Sequence, residues 1–279
     1  MTTVKAPTLL TAKRKEILEQ YAQEISTDYF GEHELIKPEI IACDQGITYS
    51  LNNYNSDFKG LIHYKNRKFH VYLDTSLGST LNSPVIRFTF AHELGHYFID
   101  EQRAELLKLG VLPQTDTVIL STTLFEKEAE YFAACLLMPR NRIIKDITEQ
   151  EFSTWLIHRI CKTYKVSQTA AFSRYIVLGD VPIAMIFIFK DGKFDRKISS
   201  TKFRHYSLKL DENGYIPATS VAGRYCYEGK DDFKADNLLA ADVWFNPKSE
   251  EDALRVYRED CMVQQNLNRI VSIVYEKKF

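Results

Sequence analysis

Cysteine is scarce and scattered in this chain. Its five thiols, Cys43, Cys135, Cys161, Cys226 and Cys261, are odd in number and form no C-x-x-C pair, so they fit reduced thiols rather than a disulfide framework. Long apolar runs are missing too: no segment approaches the roughly 18 residues of a membrane span. The opening MTTVKAPTLLTAKRKEI has no uninterrupted apolar stretch after its first lysine, and neither a secretory signal nor a transit peptide is read there. The expectation is a cytoplasmic protein without a membrane partner. Net charge is nearly absent at −1, which argues against a chain that coats nucleic acid or anionic lipid by bulk charge. Repeats, heptads and low-complexity tracts are also lacking. What remains is the composition of a soluble globular protein, 45% hydrophobic and 26% charged, in 279 residues, enough for about two domains.

Apolar residues Ile17, Leu18, Tyr21, Ile25 and Tyr29 recur at helical spacing and predict a helix from Ala12 to about Tyr29. Gly60 to Tyr64 and Phe69 to Asp74, joined by Lys65-Asn66-Arg67-Lys68, predict a hairpin. A helix is expected over Val85 to Ile99, after Pro84, and a second from about Phe125 to Leu137 with Ala129, Phe132, Ala133 and Leu136 on one stripe. Glu101 to about Thr122 lacks a period and reads as a loop. Thr148 with Glu151 forms a capping-box signature for a helix ending near Tyr164, and Ser167 caps the next, to Leu178. Gly179-Asp180-Val181-Pro182 marks the expected domain boundary, giving domains 1–179 and 180–279. Beyond it, Ile183 to Phe189 and Arg269 to Tyr275 read as strands and Glu250 to Cys261 as a helix. The fold class expected is α+β: a mainly helical domain with a small hairpin, followed by a mixed α/β domain.

The most informative stretch is His92-Glu93-Leu94-Gly95-His96. Four residues apart on a helix, the two imidazoles share a face and can grip one ion, while Glu93 emerges beside it, placed to take a proton from activated water. Imidazole ligation with one open position suits Zn2+. A third ligand would come from Glu126, Glu128 or Glu130 at the start of the second helix. Glu126 and Glu130 share a face, so Glu126 would bind the ion while Glu130 accepts a hydrogen bond from a ligand histidine. Against this, Glu126 also completes a capping box with Thr123, and Glu128 is an alternative ligand. No residue is singled out to stabilise an oxyanion; Tyr97 and His158 are among the candidates.

RFTFAHELGHYFID (Arg87 to Asp100) followed by EKEAEYFAACLLMP (Glu126 to Pro139) resembles the two signature segments of the ImmA/IrrE metallopeptidases, in their expected order. The resemblance runs from the first helix to about Leu178. It implies a zincin-like domain and a zinc-dependent endopeptidase that cleaves a helix-turn-helix repressor encoded nearby, derepressing stress, mobile-element or defence genes. It carries over His92 and His96 as ligands, Glu93 as base and Glu126 as third ligand. Where this chain has Glu130 the family usually shows Asn or Asp.

Family members with a second domain often carry a GAF-like sensor, which Val181 to Phe279 would supply. Relatives in anti-phage operons share this layout, with the second domain proposed to sense single-stranded DNA or another damage signal. Lys190, Lys193, Arg196, Lys197, Lys202, Arg204 and Lys209, against Asp191 and Asp195 and interleaved by Phe194, Phe203 and Tyr206, have the composition of a single-strand binder, although such runs are usually just solvated faces. The alternative reading is a DNA-binding regulator with a structural zinc site. It rests on Thr148 to Leu178, whose junction Lys165-Val166-Ser167 resembles the turn of a helix-turn-helix, with Gln168, Thr169, Ser173 and Arg174 as polar readers.

Overall fold

Thr11 opens the first helix, α1 (Ala12–Phe30), by accepting the Arg14 backbone N–H on its side chain, and Gly31 closes it with φ of 56°, a value glycine adopts without strain. In the computed structural model the described residues are 10–55, 57–78, 80–112, 120–148, 150–201, 203, 207–231, 233, 238–264 and 268–276. The elements that follow are α2 (Pro38–Asp44), β1 (Thr48–Asn52), β2 (Gly60–Lys65), β3 (Lys68–Asp74), α3 (Pro84–Phe98), α4 (Asp100–Leu109), α5 (Leu120–Leu137), α6 (Arg140–Ile147), α7 (Thr154–Tyr164) and α8 (Gln168–Leu178). The chain forms two compact units, Met1–Ala171 and Phe172–Phe279, and this division falls inside α8 rather than after Gly179.

The expected hairpin is β2 and β3, antiparallel with Lys65 opposite Lys68. Asn66 and Arg67 both take positive φ, 53° and 63°, as a two-residue turn of matching twist requires. A third strand not read from the sequence, β1, pairs in parallel with β3, giving the order β1-β3-β2 with β2 at the edge. β1 spans five residues and none of them is fully buried, so it lacks the alternation that signals a strand.

α3 is buried around most of its circumference: Ile86, Phe90, Ala91, Leu94 and Phe98 pack inward, and the polar Arg87, Glu93 and His96 are buried with them. It packs on α5, whose buried Ala129, Phe132, Ala133 and Leu136 form the predicted stripe. Phe98 meets Phe132 with ring centroids 6.0 Å apart, and Tyr21 of α1 lies against both rings. Each such buried aromatic stabilises by about 1.5 to 3 kcal/mol. Gly95 lets the two helices touch: a Cβ there would lie 3.1 Å from Ala129 Cα.

Two expectations about this unit need correction. The stretch Glu101 to Thr122 is not one loop: α4 occupies its first part and α5 begins at Leu120, while 113–119 lie outside the described residues. The inward face of α4 is Gln102 and Leu106, and a polar inward residue hides the period. Thr148 does not open a helix; it ends α6, its hydroxyl donating to the Ile144 carbonyl at 2.6 Å, and Ser153 caps α7 by accepting the Leu156 N–H. Ser167 does cap α8, accepting the Ala170 N–H at 3.2 Å.

The second unit contains β4 (Ile183–Phe189), β5 (Phe194–Ser199), α9 (Val221–Glu228), β6 (Leu238–Ala240), the short turns α10 (Ala241–Trp244) and α11 (Glu250–Ala253), β7 (Val256–Gln264) and β8 (Arg269–Glu276). Its strands form an antiparallel sheet in the order β5-β4-β8-β7-β6. The helix expected over Glu250 to Cys261 is therefore only α11, followed by a strand. β7 alternates, but one of its inward residues is Glu259. Ala184, Ile186, Ile188, Phe203, Trp244, Phe245, Tyr257, Ile270 and Val274 build this unit's core. Among the described residues the fold is thus mixed α and β with two separate sheets.

Candidate active site

α3 and α5 bring the predicted ligands together. His92 Nε2 lies 3.0 Å from His96 Nε2 and 3.0 Å from Glu126 Oε2, and His96 Nε2 lies 3.4 Å from Glu126 Oε1. Among the described residues these three form a group able to hold a metal ion. Donor atoms held at ~2.0 to 2.1 Å around a tetrahedral zinc would stand about 3.3 Å apart. The observed separations bracket that value.

The protons support the same fit. Gln102 Nε2 donates to Glu128 Oε2 at 2.9 Å and to the Phe125 carbonyl at 3.3 Å, which fixes its amide so that Oε1 faces His96 Nδ1 at 2.6 Å. The Nδ1 of His96 therefore carries the hydrogen, and its Nε2 turns a lone pair toward His92 and Glu126. Burial and the neighbouring His92 pull the His96 pKa down to about 4, so the ring is neutral near pH 7. Burial also opposes charge on His92, but its hydrogen bond to Glu126 and the nearby carboxylates outweigh this and raise its pKa. Glu126 is lowered: burial works against its charge and the two histidines win. His96 Nε2 and the Glu126 oxygens turn lone pairs to a common centre, and His92 Nε2 would join them on giving up its hydrogen. A cation satisfies such a donor set.

Glu93 sits beside this group on the wall of a cavity of about 470 Å³, lined also by Phe58, Gly60, Ile62, Phe88 and Glu130. Burial raises its pKa to about 7, against the opposing pull of His92 and of a backbone N–H bond from Ile62. A Cβ on Gly60 would lie 2.7 Å from Glu93 Oε1, so glycine at this point of β2 lets the edge strand approach the carboxylate.

Other expected residues fall elsewhere. Glu128 is buried and engaged by Arg14, whose Nε and Nη2 donate at 2.7 and 3.1 Å, so it is turned away from the histidine pair. Glu130 is exposed on the cavity rim, and the partner of the ligand-candidate imidazole is Gln102 instead. No motif marked Gln102; an uncharged polar residue one turn before Leu106 was the only trace. Tyr97 donates to Gln45 and lies beneath Arg103, and His158 sits exposed on α7, so neither lines the cavity. The Thr123 side chain lies outside the described residues.

In the second unit, Phe203 is buried in the core and Phe194 packs against it, so neither is an exposed stacking ring. Lys202, Arg204 and Tyr206 lie outside the described residues. On α8, Arg174 is 2% exposed, and Gln168, Thr169 and Ser173 are half-buried, which leaves little of the helix to read bases.

Residues 76–174 match the family model Peptidase_M78, described as the IrrE N-terminal-like domain. The ImmA/IrrE resemblance is thereby shown at domain level. None of the curated proteins compared with the chain matches it. Among solved structures, a Mycobacterium tuberculosis transcriptional regulator is similar, with 13% identity and a TM-score of 0.60 over 95% of this chain and 78% of that one. At that identity the likeness is one of fold. Among the described residues no helix is long and apolar enough to cross a membrane.

Proposed function

From a chain that carries an IrrE N-terminal-like domain of metallopeptidase type, we propose a zinc-dependent endopeptidase that cleaves a helix-turn-helix repressor encoded nearby, derepressing stress or defence genes when its second unit receives a signal. The observation that carries this reading is the convergence of His92, His96 and Glu126 within hydrogen-bonding distance of one another, with Glu93 buried beside them in one cavity. His92, His96 and Glu126 would hold the metal. Bound there, zinc supplies Lewis acidity toward a peptide carbonyl and makes water ionise near pH ~7.

Glu93 does the proton work. A carboxyl beside the metal position would take a proton first from the attacking water and then return it to the leaving amine. Burial keeps the carboxylate weakly solvated, so it gains from accepting the proton. The Ile62 N–H holds it in orientation. The cavity's apolar lining, Phe58, Leu61, Phe88 and Leu112, would accept side chains of a protein segment.

The reading of the second unit as a GAF-like sensor of single-stranded DNA or another damage signal draws on the family resemblance and on a sheet-based unit with its own core. The test is co-incubation of zinc-loaded protein with the neighbouring repressor, with and without single-stranded DNA. Expected is a single cut, absent in Glu93→Gln and stimulated by the signal. Sequence-specific duplex binding without metal, and no cut, would favour the DNA-binding alternative.

A further inference from the structure

Behind His96 lies a chain of hydrogen bonds drawn from four helices. His96 Nδ1 on α3 donates to Gln102 Oε1 on α4 at 2.6 Å, and Gln102 Nε2 donates to Glu128 Oε2 on α5 at 2.9 Å. Arg14 on α1 grips both Glu128 oxygens, at 2.7 and 3.1 Å, and reaches Glu101 at 3.0 Å with the same Nη2. Gln102 is fully buried, and Glu128 is 4% exposed. With side branches to Glu101 and the Phe125 carbonyl, the donations from His96 and from Arg14 converge on the Glu128 carboxylate. That charge polarises the Gln102 amide and strengthens its oxygen as an acceptor.

A neutral imidazole can carry its proton on either nitrogen, and only one tautomer offers Nε2 to a metal. We propose that Gln102, oriented by Glu128 and Arg14, is the positioning residue that fixes the tautomer and ring orientation of His96. Gln102 meets this task because an amide oxygen locked by two outward donations cannot flip to present its NH2 group instead. Arg14 matters because Glu128 without it would be a buried carboxylate free to turn. The inference rests on the zinc-peptidase reading only in supposing that His96 binds metal; the relay itself is read from the hydrogen bonds.

The test uses the full chain and needs no substrate. Long-range proton–nitrogen NMR spectra of histidine-labelled metal-free protein report the His96 tautomer, and competition with a chromophoric chelator reports Zn2+ affinity. Gln102→Leu, of similar volume, should release the His96 proton from Nδ1 and weaken zinc about 10- to 100-fold. Arg14→Leu should act in the same direction, less strongly. The double swap Gln102→Glu with Glu128→Gln keeps an acceptor against His96, a donor between the two positions and one oxygen for Arg14, and gives up the donation to the Phe125 carbonyl. It should restore the tautomer and most of the affinity, which a role in packing alone would not require. If Gln102→Leu unfolds the protein, the double swap and Arg14→Leu carry the test. The proposal is overturned if folded Gln102→Leu keeps the Nδ1–H tautomer and binds zinc within about twofold of wild type. A wild type that binds zinc with this tautomer but cuts no repressor would sink the peptidase reading and leave the relay standing.

Discussion

Two buried glutamates, one in each unit, show what decides between structure and chemistry. Glu259 on β7 is fully buried and saturated: it accepts from the Val221 and Ala222 N–H groups at the start of α9, from Trp244 Nε1, from Ser272 and from Cys261. Its charge is spent on capping a helix and tying it to the sheet. Glu93 is 6% exposed, takes the Ile62 N–H, and otherwise opens onto a cavity beside two histidines. Burial is nearly the same. The number of donors differs, and so does what each carboxylate can still do.

The contrast is broken most strongly by Glu93→Gln. Removing a general base should cost about 100- to 10,000-fold in kcat/KM for repressor cleavage. Stability should change by no more than about 1 kcal/mol, because burial already disfavours the charge there. Melting curves beside cleavage rates check both halves. At the other pole, Glu259→Ala should cost about 3 to 5 kcal/mol in urea unfolding by stranding several buried donors, while zinc affinity of the folded protein holds.

Metal removal separates the units next. Protein held at 100 times its zinc Kd should lose about 2.7 kcal/mol on chelation and stay folded, where a zinc-built scaffold would unfold. Gly95→Ala forces a Cβ to within 3.3 Å of both Ala129 Cα and Cβ, and should cost about 1 to 3 kcal/mol and weaken zinc by moving Glu126 off the histidine pair. Smallest of all, Glu130→Ala on the exposed rim should change stability by no more than about 0.5 kcal/mol, with zinc affinity unaltered in the chelator assay.

The same pair explains how much was legible beforehand. His92, Glu93 and His96 stood out because their spacing follows helix geometry. The stripe Ala129, Phe132, Ala133, Leu136 placed the next helix, on which Glu126, Glu128 and Glu130 stayed open and the family resemblance favoured Glu126. Residues that put polarity inward were misread. Glu259 interrupts the alternation of β7, so Val256 to Cys261 looked like the end of a helix. Gln102 does the same on α4, so a helix looked like a loop and its contact to His96 was assigned to Glu130. Sequence periodicity reports apolar burial; it is silent where a buried polar group is satisfied by partners far along the chain.

The most direct test of the account is mass spectrometry of the neighbouring repressor after incubation with zinc-loaded wild type and with Glu93→Gln, each assayed for metal content. The expected result is one zinc per chain in both proteins and a single cleaved peptide bond with wild type alone. Equal cleavage by Glu93→Gln, at the same bond and rate, would contradict it.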